Sequence, residues 1–308
     1  MSILNSIRRI IALFLVTALS LIVYPNGAKA HTVLDEESCE TCITVFSDCH
    51  IEGNNFKRFS AFGRMLLDAQ NNSFGNDVGV FLGDNTMNGQ EIESVFFYGL
   101  IKNFSFADNY INVMGNHDIG NGEGNYEILS RRFYGYSDEF LGIKTDKPYY
   151  YRVINGVYFI VLGEEQLSVN ENEMSDEQYE FLKATLDKAK ADNAVTFICC
   201  HHPVFNIIPT ENNDLYDILP QYKNVFFVSG HTHLEIDKDW TFLDYCGIKM
   251  LNLPRSTENA DTGNEAGSYN CGIGMQIEVY EDEVVARVRD YYTGLWIDGF
   301  EMHYPIEK

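Results

Sequence analysis

Positive charge is what this chain has least of: 22 lysines and arginines stand against 45 aspartates and glutamates in 308 residues, a net charge of −23. Nucleic-acid affinity comes largely from basic side chains that neutralise phosphates, so the deficit argues against long nucleic acids as partners. It leaves two readings, an acidic surface that keeps the protein in solution, or a small substrate met through cations that reverse the field locally. No internal repeat and no low-complexity linker divides the sequence, and residues 31–308 read as one domain. No second CxxC accompanies Cys39-Glu40-Thr41-Cys42, so a four-thiolate zinc site is not available. That pair also precedes any helix whose dipole would lower a thiol pKa, and it reads as a structural tie, not a redox centre. Cys199 and Cys200 fall inside an apolar strand and read as small buried side chains. Cys49, Cys246 and Cys271 make the total of seven odd, so at least one thiol has no partner within the chain.

Long apolar runs are missing too. Residues 10–24 are apolar but short for a bilayer-spanning helix. Arg8-Arg9 before that run and Ala28-Lys29-Ala30 after it make a signal peptide over residues 1–30, with cleavage expected after Ala30; an uncleaved anchor is the alternative. No cysteine stands where a lipoprotein would carry one. The expected product is secreted or extracytoplasmic, begins at His31 and has no stable membrane insertion. Removal of residues 1–30 takes away three bases and no acid, which moves the net charge from −23 to −26. Nothing in the sequence bears on oligomeric state.

What is present suits a folded α/β domain. A hydrophobic fraction of 45% and an aromatic fraction of 14% are ample for a sizeable core and exclude disorder as the main state. Short β-branched strands alternate with helical spacing, and the strands share a habit: each ends in polar, chemically versatile residues. The strand at residues 43–46 runs into Asp48 and His50, whose i, i+2 spacing predicts side chains on one side. A helix over residues 56–69 follows. The strand at 78–82 runs into Gly83-Asp84, and a helix is predicted over 91–103. The strand at 110–114 delivers Gly115-Asn116-His117-Asp118, an amide oxygen, an imidazole and a carboxylate able to hold that imidazole in one tautomer. The basic aromatic cluster at residues 131–136 reads as part of a long connection, either a pocket wall or a surface loop. A hairpin is predicted across Asn155-Gly156, and a helix starting at a capping box on Ser175. Strands at 195–200 and 225–229 deliver His201-His202 and His231-Thr232-His233. The tail over residues 240–288 predicts further antiparallel strands with a last hairpin at 278–285.

Five strand exits thus offer Asp48, His50, Asp84, Asn116, His201, His231 and His233. Mixed carboxylate, amide and imidazole donors suit zinc, iron, manganese or cobalt. Seven are too many for one tetrahedral ion and fit two metals that share a carboxylate. In this order the motifs Asp48-x-His50, Gly83-Asp84, Gly115-Asn116-His117-Asp118, His201 and Gly230-His231-x-His233 resemble the calcineurin-like metallophosphoesterases over about residues 43–290. The resemblance implies a four-layer α/β/β/α sandwich with a dinuclear metal site at the C-terminal edge of the strands. It implies one metal on Asp48, His50, Asp84 and His233, and another on Asp84, Asn116, His201 and His231. His117 is implied to assist the leaving group, oriented by Asp118. Residues 157–162, 175–186 and 201–203 look most like the cyclic-nucleotide and glycerophosphodiester phosphodiesterases of the family. Two positions depart from the pattern: Met87 stands where a second aspartate is usual, and Gly163 where an acid often follows the strand. The activity implied is hydrolysis of small phosphodiesters; a phosphomonoesterase or nucleotidase on the same site, or a metal-binding module without chemistry, are the alternatives.

Overall fold

A computed structural model describes residues 30–257 and 272–308. The expected signal peptide, apart from Ala30, and Cys271 lie outside the described residues. The helices of more than one turn are α1 (Phe56–Gln70), α2 (Glu91–Asn103), α3 (Tyr126–Leu141) and α4 (Asp176–Ala191). The strands, in chain order, are β1 (Thr41–Phe46), β2 (Val78–Phe81), β3 (Asn109–Asn112), β4 (Tyr150–Ile154), β5 (Val157–Leu162), β6 (Asn172–Glu173) and β7 (Thr196–Cys200). They continue with β8 (Ile207–Ile208), β9 (Val225–Ser229), β10 (Phe242–Tyr245), β11 (Ile248–Asn252), β12 (Ile273–Val279), β13 (Glu283–Asp290) and β14 (Leu295–Pro305).

Two six-stranded mixed sheets result, ordered β14-β13-β12-β1-β2-β3 and β10-β11-β9-β7-β5-β4. The strands that lead into the expected ligands run parallel to one another within each sheet: β1, β2 and β3 in one, and β7 and β9, flanked by β5 and β11 in the same sense, in the other. All of their C-terminal ends therefore face one edge. Alternation along each strand decides what lies between the layers. Ile43, Val45, Val80 and Ile111 of the first sheet meet Phe159, Val161, Phe197 and Val228 of the second in one apolar core. The opposite side chains, Phe46 and Phe81, pack under Phe59, Phe62, Met65 and Leu66 of α1 and Phe97 of α2. On the other outer face Ile160, Ile198 and Phe227 are covered by Tyr179, Leu182 and Leu186 of α4. The order is helix, sheet, sheet, helix, the layering that the resemblance implied.

Three expectations need correction. Residues 131–136 are not a loop; they belong to α3, which starts because the Asn125 side chain accepts from the Ile128 amide and stops at Gly142 in the left-handed region (φ 67°), and from that helix Arg131 and Tyr134 line a pocket of about 460 Å³. The buried Phe133, Tyr136 and Leu141 of the helix fall at helical spacing. The tail is not wholly antiparallel, since β11 runs parallel to β9 and only β10 returns against it. The predicted hairpin forms as β12 and β13, but a long further strand, β14, follows it. That strand is mostly exposed and has no apolar run to reveal it. Lastly, Cys39 and Cys42 are not tied; both carry free thiols, and Cys42 Sγ accepts from Asn72 Nδ2 at 3.3 Å. Burial pushes the Cys39 thiol up to about 12, in keeping with a site that is not redox-active.

Candidate metal centre and active site

At the shared edge the backbone leaves its ordinary range. Asp48, His50, Asp84, His231 and His233 all have φ between 43° and 68°. A left-handed conformation costs a non-glycine residue roughly 1–3 kcal/mol and persists only where its surroundings enforce it. Asp48 and His50 therefore reach the site through two such turns past the end of β1, not by the strand alternation their spacing predicted. The residues before the ligands are small for a steric reason. A Cβ on Gly115 would stand 2.3 Å from Asp84 Oδ1, and one on Gly230 would stand 2.4 Å from Asp48 Oδ2.

The gathered side chains form two clusters with a common member. Asp48, His50, Asp84 and His233 make one, and Asp84, His201 and His231 the other; within each, ligand atoms lie within 4.8 Å of one another. In the first, His50 Nε2 faces His233 Nε2 at 2.9 Å, and His233 Nε2 stands 3.0 Å from Asp48 Oδ1. In the second, Asp84 Oδ2 is 3.2 Å from His201 Nε2, and His231 Nδ1 is 3.3 Å from His201 Nε2 and 3.2 Å from Asn116 Oδ1. All seven sequence-derived ligand candidates are thus brought together, and Asp84 Oδ2 is the atom both groups share, at 3.7 Å from His50 Nε2.

Hydrogen bonds aim these atoms. The His117 amide donates to Asp84 Oδ1 at 2.8 Å, which leaves Oδ2 for the cluster. Ser47 Oγ and the His231 amide donate to Asp48 Oδ2, which leaves Oδ1. His201 Nδ1 donates to the Leu82 carbonyl at 2.8 Å, so Nε2 is the nitrogen that faces the cluster. Asn116 donates from Nδ2 to Asn121 Oδ1 at 2.9 Å, which turns its own oxygen toward His231. Asn121 is a residue that the sequence reading missed.

Electrostatics fit a cation. Burial favours neutral acids, yet hydrogen bonds from His233 and His50 outweigh it and hold the Asp48 carboxyl well below the usual range. Burial likewise opposes ionisation of Asp84, and the positive charge of His201 outweighs it. His201 itself would be neutralised by burial, but the Asp84 carboxylate drives it up to about 10. His231 is pushed down to about 4 by burial and then by charge on His201. The two buried carboxylates thus depend on imidazole protons, in a place where imidazole nitrogens face each other at hydrogen-bond distance. Metal ions held there would supply positive charge in place of those protons and use the inward nitrogens.

His117 lies beside this centre, its ring at 4.6 Å from that of His50 and on the wall of the pocket. Its expected partner is corrected. His117 Nδ1 donates to the Met87 carbonyl at 2.8 Å, whereas Asp118 accepts from the amides of Gly115, Asn85 and Thr86 and from Thr86 Oγ1. Asp118 braces the loop, with its carboxyl pushed up to about 7 by burial and then by the charge of Asp84. Because a backbone carbonyl orients His117, the unusual Met87 side chain costs the site nothing there. His202 is not among the gathered ligands; it is buried beneath them, its ring 4.0 Å from that of His231 and its Nδ1 3.4 Å from Glu164 Oε1. Glu164 is the acid missing at Gly163, displaced by one residue. A side chain at 163 would meet the Pro148 carbonyl at 2.7 Å.

Strands that end together, two clusters sharing one carboxylate and a histidine beside them define a metal-dependent phosphoester hydrolase. The chain belongs to the calcineurin-like phosphoesterases, whose family pattern it matches over residues 42–235. Among solved structures it is similar to a dimetal phosphatase from Danio rerio at 14% identity and a TM-score of 0.58, covering 87% of this chain and 100% of that one. A purple acid phosphatase from yellow lupin (Lupinus luteus) seeds is similar at 14% identity and a TM-score of 0.55, covering 85% of this chain and 53% of that one. No curated protein matches the chain.

Proposed function

We propose that this phosphoesterase hydrolyses small phosphodiesters, with Asp48, His50, Asp84 and His233 holding one transition metal and Asp84, Asn116, His201 and His231 a second. The observation that carries it is Asp84 Oδ2, placed between the two groups with its sister oxygen fixed on the His117 amide. Zinc, iron, manganese or cobalt all suit these donors. When bound, such ions activate water near neutral pH and neutralise phosphoryl charge. The chain's own part is to set His117: the bond from Nδ1 to the Met87 carbonyl directs Nε2 to the pocket. A protonated His117 there donates to the departing alkoxide oxygen. Preference for diesters is supported by the likeness of residues 157–162, 175–186 and 201–203 to the phosphodiesterase branch.

His117→Ala tests this reading. It should retain both metals and lose roughly 10²–10⁴-fold on an alkyl diester, but much less on bis(4-nitrophenyl) phosphate, whose leaving group needs no proton. Equal losses on both substrates would remove the proton-donor role. Faster metal-dependent turnover of the matching monoesters would make the protein a phosphomonoesterase. Metal binding with no turnover of any phosphoester would leave a binding module.

We further propose export, with residues 1–30 removed. The charged start, apolar run and Ala28-Lys29-Ala30 support this, and among the described residues no helix is long and apolar enough to cross a membrane. Amino-terminal sequencing of the exported protein should begin at His31; an intact Met1 in a membrane fraction would replace export by anchoring.

A further inference from the structure

Two buried polar side chains, Glu164 and His202, lie behind the metal centre and outside its ligand set. Their meeting follows from strand register. β5 and β7 pair in parallel with Leu162 opposite Cys200, so the residues two places past each strand emerge side by side. His202 Nδ1 stands 3.4 Å from Glu164 Oε1, and the two residues are 0% and 1% exposed. Among the described residues, neither nitrogen of His202 nor Oε1 of Glu164 has a hydrogen-bond partner. A phenylalanine would fill the same space with no polar atom to satisfy. What a carboxylate facing an imidazole adds is direction, since it favours one orientation of the ring.

That direction reaches two places. The His202 ring lies 4.0 Å from the ring of His231, the planes 39° apart. His231 has to present Nδ1, the atom beside Asn116 Oδ1 and His201 Nε2, and a turn of its ring would withdraw that atom. A fixed ring against its face opposes the turn. On the other side, Glu164 Oε2 accepts from Ser168 Oγ, and Ser168 precedes Val169 and Asn170 in the wall of the pocket. The Asn170 carbonyl accepts from Asn206 Nδ2 at 2.8 Å, and Asn206 ends the short turn Val204–Asn206 that follows His202. Pairing of Asn172 with Ile207 closes the span, so this wall begins at Glu164 and returns to His202. We infer that Glu164 is a positioning residue with two arms: through His202 it sets the His231 ring for the second metal, and through Ser168 it holds the pocket wall at Val169 and Asn170. This rests on the two-metal reading above and deepens it.

Two measurements separate the arms: stepwise cobalt(II) titration by calorimetry, and KM against kcat for bis(4-nitrophenyl) phosphate at saturating cobalt. Glu164→Ala should weaken one of the two cobalt constants on the order of tenfold, the one that His50→Ala leaves largely unchanged. It should also raise KM more than it lowers kcat. His202→Phe keeps a ring against His231 without the tie to Glu164, and should show the metal effect alone. Ser168→Ala should show the KM effect alone. Glu164→Gln keeps a polar oxygen for Ser168 and the shape of the side chain, and should recover most of both. A lowered melting temperature in Glu164→Ala, with cobalt constants and KM at their parent values, would mean that the pair only fills space and would overturn the inference. Equal weakening of both cobalt constants would overturn it too. If Glu164→Ala does not fold, the other two variants decide: parental cobalt constants in His202→Phe with a parental KM in Ser168→Ala would overturn it. A parent chain that binds no second cobalt ion would overturn the two-metal reading and take the inference with it. Two bound ions without turnover of any phosphoester would overturn the hydrolase reading alone, and the titration would still decide the metal arm.

Discussion

Among the described residues, two of the places that bury carboxylates treat them oppositely. In the corner between α1 and strands β12–β14, each acid has a guanidinium of its own. Asp68 accepts from Arg289 Nε and Nη2 at 2.7 and 3.0 Å, both side chains being buried. Glu278 accepts from Arg287 Nη1 at 2.8 Å, from Gln276 Nε2, from Tyr280 Oη and from the Leu34 amide. Backbone there is ordinary strand and helix. At the strand exits Asp48 and Asp84 have no such partner; each ties one oxygen to a backbone amide and turns the other toward imidazole nitrogens. The backbone beneath them is left-handed at five ligand candidates. A buried acid whose counter-charge is only a titratable imidazole, on strained backbone, is expensive in folding free energy. The first cluster is complete within the chain, and the second is completed by ions that come from outside it.

The sharpest way to break that contrast is to neutralise one acid in each place. Asp84→Asn should abolish metal-dependent turnover and both metal sites, because the shared oxygen is gone, while His50→Ala should disturb one site more than the other. Metal analysis decides this, and two metals per chain in Asp84→Asn would sink the sharing. In metal-free protein Asp84→Asn should cost much less than Asp68→Asn, since the His201 imidazole left behind can shed its proton. Asp68→Asn should lower stability by about 3–5 kcal/mol, because the Arg289 guanidinium is left buried and cannot lose its charge. If both substitutions lower the metal-free melting temperature by the same amount, the two clusters are not different in kind.

A smaller effect sharpens the comparison within the metal edge. Asn121 holds the Asn116 amide in the orientation that points its oxygen inward. Asn121→Ala should weaken metal affinity by roughly 10–100-fold, the usual consequence of removing a group that orients a ligand. The loss should fall on the second site, to which Asn116 is assigned, and leave the Asp48, His50 and His233 side largely unchanged. Stepwise metal titration followed by calorimetry would show it; uniform weakening of both sites would mean that Asn121 acts on the loop as a whole.

The exits were legible in the sequence because each demands a specific side chain just past an apolar strand. Asp48, His50, Asp84, Asn116, His201, His231 and His233 all come together in space, and the strands and helices before them stand within a few residues of their expected bounds. What was not legible has no side-chain signature. The acceptor that orients His117 is the carbonyl of Met87, which any residue would supply, and the neighbouring Asp118 was the natural but wrong inference. Glu164 escaped because it sits one residue past the position inspected, where the Pro148 carbonyl leaves room only for glycine. Helix α3 was hidden by its polar and glycine-rich approach, and β14 by exposure, since a half-wet edge strand carries little apolar pattern.

The closed corner makes the last and smallest prediction, because it holds a histidine that the metal edge does not share. His31 is 6% exposed and packs edge-on against Tyr291 and Trp296, with ring centroids at 6.0 and 5.7 Å. Burial, and then the charges of Arg289 and Arg287, lower its pKa from 6.5 to about 3. The folded state therefore keeps it neutral, while the unfolded chain takes up a proton below pH 6.5. Between these values the unfolded state binds more protons, so stability falls as pH falls, by up to about 1.4 kcal/mol per unit. From pH 6.5 to 5 this amounts to about 2 kcal/mol at most. Histidines and carboxylates at the metal edge also titrate, but they do so equally in any variant confined to the corner. His31→Phe preserves an aromatic ring against Tyr291 and Trp296 and has no proton to gain. Chemical denaturation at pH 7 and pH 5 should show a smaller acid loss in His31→Phe than in the parent chain. Parallel losses in the two proteins would mean that His31 takes up its proton inside the fold, and that the corner is more open than its geometry shows.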